Sequence, residues 1–363
     1  MLAFMICALP TFPWTSCLWK YSAGVWTNIT PAGPNPPAEV DENFVWDAAD
    51  QVALLVGGLT YPTAVTGLVW QFKGGNWSNI TTASSPHPAR VLDVEAAYDS
   101  ADGYVVSLWQ RLNGQPANYT FASYTYAFRA GIWTNVTATA GGAALPFQPA
   151  FADDPTDGGA VLFGGRAGSS LVATNQTWLF SHGMWRELAP IVAPLPRMLE
   201  SVAYDSLLPA VLMVGGTTNG CPATCPAYTD EWTFAHSEWT NITATLRGDP
   251  PTEVYGQMVT DVADGYVLEG FGSPEYSFNG SPYQTDLYEF ANGTWTAVSP
   301  SGSPPVIAWA TAVALVVGLI GVSAVGILLW RRRRKGTVVD RPPEVRHQSL
   351  PKESKPKVPP GPR

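Results

Sequence analysis

The residues with the widest chemical repertoire in this 363-residue chain are four histidines, four cysteines and 26 carboxylates ahead of residue 306. Their spacing argues against most of what they could do. His87 sits in "PHPAR", His347 in a basic C-terminal stretch, and His182 and His236 hold equivalent places in "SHGMW" and "AHSEW". No set of them converges with Cys or carboxylates at metal-ligand spacing, so no metal or other cofactor is expected. No Ser/His/Asp arrangement has supporting context, and no glycine-rich phosphate loop opens a helix. Asp47, Asp99, Asp154, Asp205 and Asp261 recur in register, which makes them hairpin formers before they are acids or calcium ligands. Arg90, Arg197, Glu39 and Glu253 stand near the start of the inner strand and read as surface charge, with the lining of a channel mouth as the alternative. The chain is therefore not expected to be an enzyme.

The cysteines suggest cross-links. Cys7 lies 12 residues before Trp19 and Cys221 lies 11 before Trp232, so the pairs Cys7/Cys17 and Cys221/Cys225 occupy the same kind of loop. An even count outside the cytoplasm favours disulfides. Pairing within each loop is favoured, and the two other pairings stay open.

One chemistry is abundant. Nine of the 13 Asn stand in Asn-x-Ser/Thr, where chance would give about two. Four of them (Asn28, Asn79, Asn135, Asn241) fall in one recurring word, "WTNIT" or a near copy, so duplication alone could have spread them. Asn76, Asn118, Asn175, Asn279 and Asn292 arise at separate places, and they make N-linked glycans the expected modification.

The word belongs to a longer repeat. "WKYSAGVW", "WQFKGGNW", "YAFRAGIW", "WLFSHGMW", "WTFAHSEW" and "YEFANGTW" share aromatic-x-aromatic-x4-Trp, ending on Trp26, Trp77, Trp133, Trp185, Trp239 and Trp295. Those Trp are separated by 51, 56, 52, 54 and 56 positions. Between them an apolar run ends in Gly-Gly at Gly57/Gly58, Gly164/Gly165 and Gly215/Gly216, with two worn copies. Three residues after each Trp stands an aliphatic: Ile29, Ile80, Val136, Leu188, Ile242 and Val298. Positions three apart lie on opposite faces of a strand, so both faces of each sheet should be covered. Asp-Gly at 102–103, 157–158 and 264–265 marks tight hairpins.

This period and these motifs resemble the Kelch repeat. The resemblance covers nearly all of residues 1–298 and implies an all-β fold, a β-propeller with one four-stranded blade per repeat. The inner strand would end at "AYD", the second at "VLxGG", with "WxF" third and the "WTNIT" word outermost. The family includes copper oxidases with two Tyr, two His and a Cys at the metal, a set this sequence lacks.

Charge divides the chain. Residues 1–305 carry nine Lys/Arg against 26 Asp/Glu, while residues 331–363 carry 11 against three. So acidic a body is not a nucleic-acid partner. Between the two parts, 306–330 holds 25 residues without a charge, enough to span hydrocarbon as a helix, and "RRRRK" follows. The expected plan is an external propeller at 1–298, a linker at 299–305, a single membrane span at 306–330 and a basic, Pro-rich cytoplasmic tail at 331–363. On that plan the protein binds or adheres at the cell surface, to another surface protein or a glycan. The long loops at 110–125, 217–231 and 273–287 are the first places to look. The alternatives are a surface-anchored enzyme of galactose-oxidase or carbohydrate-active type, or a passive envelope element.

Repeat register adds an expectation at the start. Residues 1–6 match the end of a second strand, so the chain holds five full blades and the outer part of a sixth. Its innermost strand and an export signal are expected from an upstream segment. A signal peptide within residues 1–18 is the competing reading, weakened by the short apolar run and by Pro10 and Pro13.

Overall fold

The computed structural model describes residues 2–299 apart from 8–14, 38, 61–63, 66, 82–92, 114–119, 169–171, 220–223, 249–250 and 278–285, together with residue 361. Five antiparallel four-stranded sheets follow one another, each in simple order from first strand to fourth. The first comprises Glu39–Asp47, Val52–Thr60, Val69–Lys73 and Asn76–Asn79, with the short Ala64–Val65 added beside its second strand. The second comprises Asp93–Asp99, Tyr104–Asn113, Thr120–Arg129 and Ile132–Asn135. The third uses Ala150–Asp154, Gly159–Phe163, Thr177–Ser181 and Met184–Leu188. The fourth uses Met198–Asp205, Ala210–Thr217, Trp232–Ala235 and Glu238–Asn241. The fifth uses Gln257–Asp261, Tyr266–Gly270, Leu287–Ala291 and Thr294–Val298. These are the blades of a β-propeller. A further sheet has three strands, Leu2–Cys7, Thr15–Ser22 and Val25–Asn28.

The Trp and the aliphatic three residues on do sit on opposite faces, and they set the order of the stack. Trp77 packs with Leu18 of the N-terminal sheet, while Ile80 joins the cluster of the second blade. Trp133 faces the first blade and Val136 the third. Trp185 and Leu188, Trp239 and Ile242 repeat the pattern. Trp295 faces the fourth blade, and Val298 lies in one cluster with Trp19, Tyr21 and Trp26 of the N-terminal sheet. That sheet therefore lies between the fifth blade and the first. Burying a side chain of this size stabilises by about 1.5–3 kcal/mol, so these seams carry much of the fold.

The paired glycines have a sharper reason than a turn. Gly57, Gly164 and Gly215 have positive φ, and a Cβ there would meet the start of the next blade's inner strand: Val94, the Arg197 carbonyl and the Glu253 carbonyl respectively. The worn second blade has Trp109 and Gln110 instead, and the Gln110 amide crosses to the Pro146 carbonyl and the Gln148 N–H. In the fifth blade Phe271 takes the first glycine's place at φ +67, its ring against Trp26.

Each recurring aspartate ends an inner strand and is buried. Its Oδ1 accepts N–H groups of the following turn, as with Ala101 and Asp102 on Asp99 at 3.1 Å. They are hairpin formers. Among the described residues no helix is long and apolar enough to cross a membrane, and the run 306–330 lies outside the described residues.

Candidate functional site

Where second strands end and inner strands begin, the loops of neighbouring blades are tied to one another. Within the third blade, Arg166 and Phe147 extend the pairing of the first two strands through two backbone hydrogen bonds of 2.8 Å, and the ties between blades follow from there. The Arg197 N–H donates to Thr174 O, and Ala173 N–H to the Asn219 side chain at 2.8 Å. Between the fourth and fifth blades, Thr224–Pro226 and Glu275–Ser277 form a two-stranded ribbon. This ribbon joins the loops 217–231 and 273–287, which sequence reasoning had treated separately. Beneath it Met198, Cys225, Ala227 and Val254 form a small core of their own. The loop expected at 110–125 is shorter, because strand pairing continues to Asn113 and Thr120.

Arg197 anchors this platform. Its guanidinium makes two bonds of 2.9 and 2.8 Å to the Asp230 carboxylate, donates to the Gly215 carbonyl and stacks 4.4 Å from the Tyr228 ring centroid. Burial alone would raise the Asp230 pKa, but the hydrogen bonds from Arg197 and Trp232 outweigh it and hold the group below its usual range. Arg197 is wholly buried and Glu253 nearly so. The expectation that both are surface charge is thus corrected: distant partners let them sit inside. Arg90 lies outside the described residues, and the Glu39 side chain is not among those described.

Three glutamates line the junction under the ribbon. Glu253 Oε2 accepts the Gly272 N–H at 2.8 Å, Glu269 Oε1 accepts the Ser201 hydroxyl at 3.1 Å, and Glu231 Oε2 accepts the Trp295 indole N–H at 2.8 Å. Burial pushes Glu231 and Glu253 up to about 7, and pushes Glu269 well above the carboxylate range. Among the described residues no histidine partners the Ser201–Glu269 pair, which is closed to solvent and acts as a structural bond.

The opposite face carries a cleft of about 490 Å³ between the second and third blades. Tyr104, Arg129, Thr139, His182 and Met184 line it, with the Arg129 guanidinium 3.8 Å from the Tyr104 ring centroid. His182 and His236 are hairpin residues with positive φ, and His182 Nδ1 lies 3.8 Å from Asp102. Among the described residues no group of His, Cys, Asp and Glu is arranged to hold a metal ion.

Seven sequon asparagines (Asn28, Asn76, Asn79, Asn135, Asn175, Asn241, Asn292) are exposed, and Asn118 and Asn279 lie outside the described residues. In the recurring word each Asn Oδ1 accepts the N–H of the Thr two residues on, at 2.8–3.1 Å. That Thr hydroxyl (Thr30, Thr81, Thr137, Thr243) then accepts an N–H from the adjacent strand, or from the residue just before it in the case of Glu231, at 2.7–3.0 Å. The outer strand accordingly stops at the Asn, not at the Thr. Sequence reasoning missed the Thr role, although Ala189 and Ser299 replace it in the two copies lacking the Asn. Trp26, Trp77, Trp133, Trp185, Trp239 and Trp295 are all buried. Gly58 lies in the first blade's second strand, while Gly165 and Gly216 have positive φ and backbone pressed close. Cys17 and Cys225 are buried and bonded in disulfides. Cys7 ends a strand, and Cys221 lies outside the described residues.

No protein-family model and no curated protein matches the chain. Among solved structures it is similar to "Structure of YjhT", at 12% identity and a TM-score of 0.53, over 78% of this chain and 91% of that one. At that identity the likeness shows the fold alone. This chain is a β-propeller.

Proposed function

We propose that this protein binds a partner at the cell surface, with the cross-blade platform at 217–231 and 273–277 as its recognition face. The observation that carries the reading is that two loops from different blades share one ribbon and one small core, so a broad surface is held rigid. Preorganised loops lower the ordering cost of binding, and a structural loop would not need such support. In this reading the repeats are of Kelch type, and the N-terminal sheet is the outer part of an incomplete sixth blade. Residues 306–330 span the membrane, and the basic tail 331–363 faces the cytoplasm. The exposed sequons carry glycans, and the disulfides close Cys7 to Cys17 and Cys221 to Cys225. The partner is another surface protein or a glycan, and no reaction is catalysed.

Proximity labelling on intact cells tests this directly. A peroxidase fused to the external domain should enrich a defined set of surface proteins or glycoconjugates. Substituting exposed platform residues such as Thr224 should deplete that set, while substituting Met184 on the opposite face should not. Identical labelling from both variants and the parent would refute the assignment of the face. Labelling of cytoplasmic proteins by the external fusion would refute the orientation.

A further inference from the structure

The junction of the fourth and fifth blades is built around carboxylates with too few partners to be charged. Glu231, Glu253 and Glu269 are at most 2% exposed. Each has one oxygen bonded to a single donor, and Glu231 Oε1, Glu253 Oε1 and Glu269 Oε2 have no hydrogen-bond partner. The charged groups facing them are acids. Glu253 and Glu269 act on each other, Asp286 acts on Glu253, and Asp230 acts on Glu231. Arg197, the buried cation of this region, is committed to Asp230, and its further influence falls on Glu200. Among the described residues no lysine or arginine pairs with any of the three. An ionised carboxylate buried without a counter-ion costs several kcal/mol, and like charges raise the cost. A carboxylic acid in the same place carries no charge, and one donor suits its carbonyl oxygen.

These acids sit at the root of the platform. The Glu253 carbonyl accepts the Gly216 N–H at 2.9 Å, and its neighbour Val254 exchanges two hydrogen bonds with Ser273. Pro274 O then accepts the Ala227 N–H at 3.1 Å, beside the ribbon. Glu253 and Glu269 lie so close against Gly272 and Gly256 that neither glycine has room for a Cβ. A charge appearing on Glu253 or Glu269 therefore strains the backbone that holds the ribbon.

We propose that protonated Glu253 and Glu269 lock this junction, so that the platform is firm in mildly acidic surroundings and loosens as the pH rises past neutrality. The sign follows from linkage. Both groups hold their protons in the folded chain at a pH where the unfolded chain has lost them. The stabilisation is complete below the ordinary glutamate range and is lost as pH rises through about 7, where Glu253 titrates. The inference does not depend on what the platform binds.

Amide hydrogen exchange of the full chain at pH 5 and pH 8, corrected for the intrinsic pH dependence of exchange, tests it. Peptides covering 213–217, 251–256 and 267–277 should exchange at least tenfold faster at pH 8, because each unit of pH between 5 and the titration of Glu253 at about 7 favours opening by up to about tenfold. Glu253→Gln and Glu269→Gln, which hold the group neutral, should bring that ratio towards one. Equal corrected rates in the parent chain would overturn the proposal, as would an undiminished ratio in both variants. Should either variant fail to fold, carboxyl-carbon NMR of the parent decides: midpoints below pH 5 for both glutamates would also overturn it.

Discussion

At the scale of the residue, Thr81 and its equivalents separate scaffold from sugar in the recurring word. The Thr81 hydroxyl satisfies the Val69 N–H at 2.7 Å, and Asn79 Oδ1 accepts the Thr81 N–H. Asn79→Asp keeps an accepting oxygen and removes the sequon, so stability should stay within about 0.5 kcal/mol of the parent. Thr81→Ala removes both the sequon and the strand-edge hydrogen bond, and should cost about 1 kcal/mol. Chemical denaturation of enzymatically deglycosylated protein checks the pair. Equal losses in the two variants would mean that Thr81 contributes nothing beyond the sequon. Intact-mass measurement of native protein separately reads glycan occupancy, and a mass equal to the bare polypeptide would refute it.

At the scale of the element, glycine cost should follow interblade distance. A Cβ on Gly215 would lie 2.0 Å from the Glu253 carbonyl oxygen, whereas one on Gly158 would meet nothing within 4 Å. Both have positive φ. Gly158→Ala should therefore cost about 1 kcal/mol, for backbone strain alone. Gly215→Ala should cost substantially more, because the fifth blade must also be displaced. Trp185 makes the corresponding test from the other side. Its ring packs on Phe151 and Phe180, and its indole N–H donates to Thr125 of the preceding blade at 2.9 Å. Trp185→Ala should cost about 3–5 kcal/mol, while His182→Ala, in the exposed hairpin before it, should be near neutral. Urea unfolding midpoints rank all four.

At the scale of the whole molecule, acids raised by burial are spread around the ring and all push in one direction. Burial lifts Asp99 and Asp153 to about 6 and Asp154 to about 7, beside the glutamates of the fourth and fifth blades. Each is protonated in the folded chain over a range where the unfolded chain has released its proton. Their joint contribution is greatest below about 4 and declines as pH rises through 6 to 7. Asp230 works oppositely, since its folded pKa is lowered, but that loss falls only at strongly acidic pH. Thermal unfolding should therefore occur at higher temperature at pH 5 than at pH 8. A midpoint that rises across that interval would contradict the burial of these groups as neutral acids.

The order of strands, the hairpins at Asp-Gly and the outward Asn positions were legible without a structure. They depend on residues within a few positions of one another, and repetition displays the same local solution several times over. The two-sided covering of each blade was legible as well, because Trp and its aliphatic partner are set three apart by strand geometry. What surrounds the unrepeated residues was not. Arg197 and Glu253 look like surface charge until Asp230, 33 residues on, and Gly272, 19 residues on, are brought against them. The ribbon of Thr224–Pro226 with Glu275–Ser277 joins segments that share no repeat register. Nor did spacing reveal that Val298 and Trp26 would share one cluster, which places the start of the chain beside its fifth blade. Local sequence determines strands and turns through backbone geometry. Burial, pairing and proton affinity depend on which distant surfaces the closing stack presses together, and the tertiary structure alone decided those.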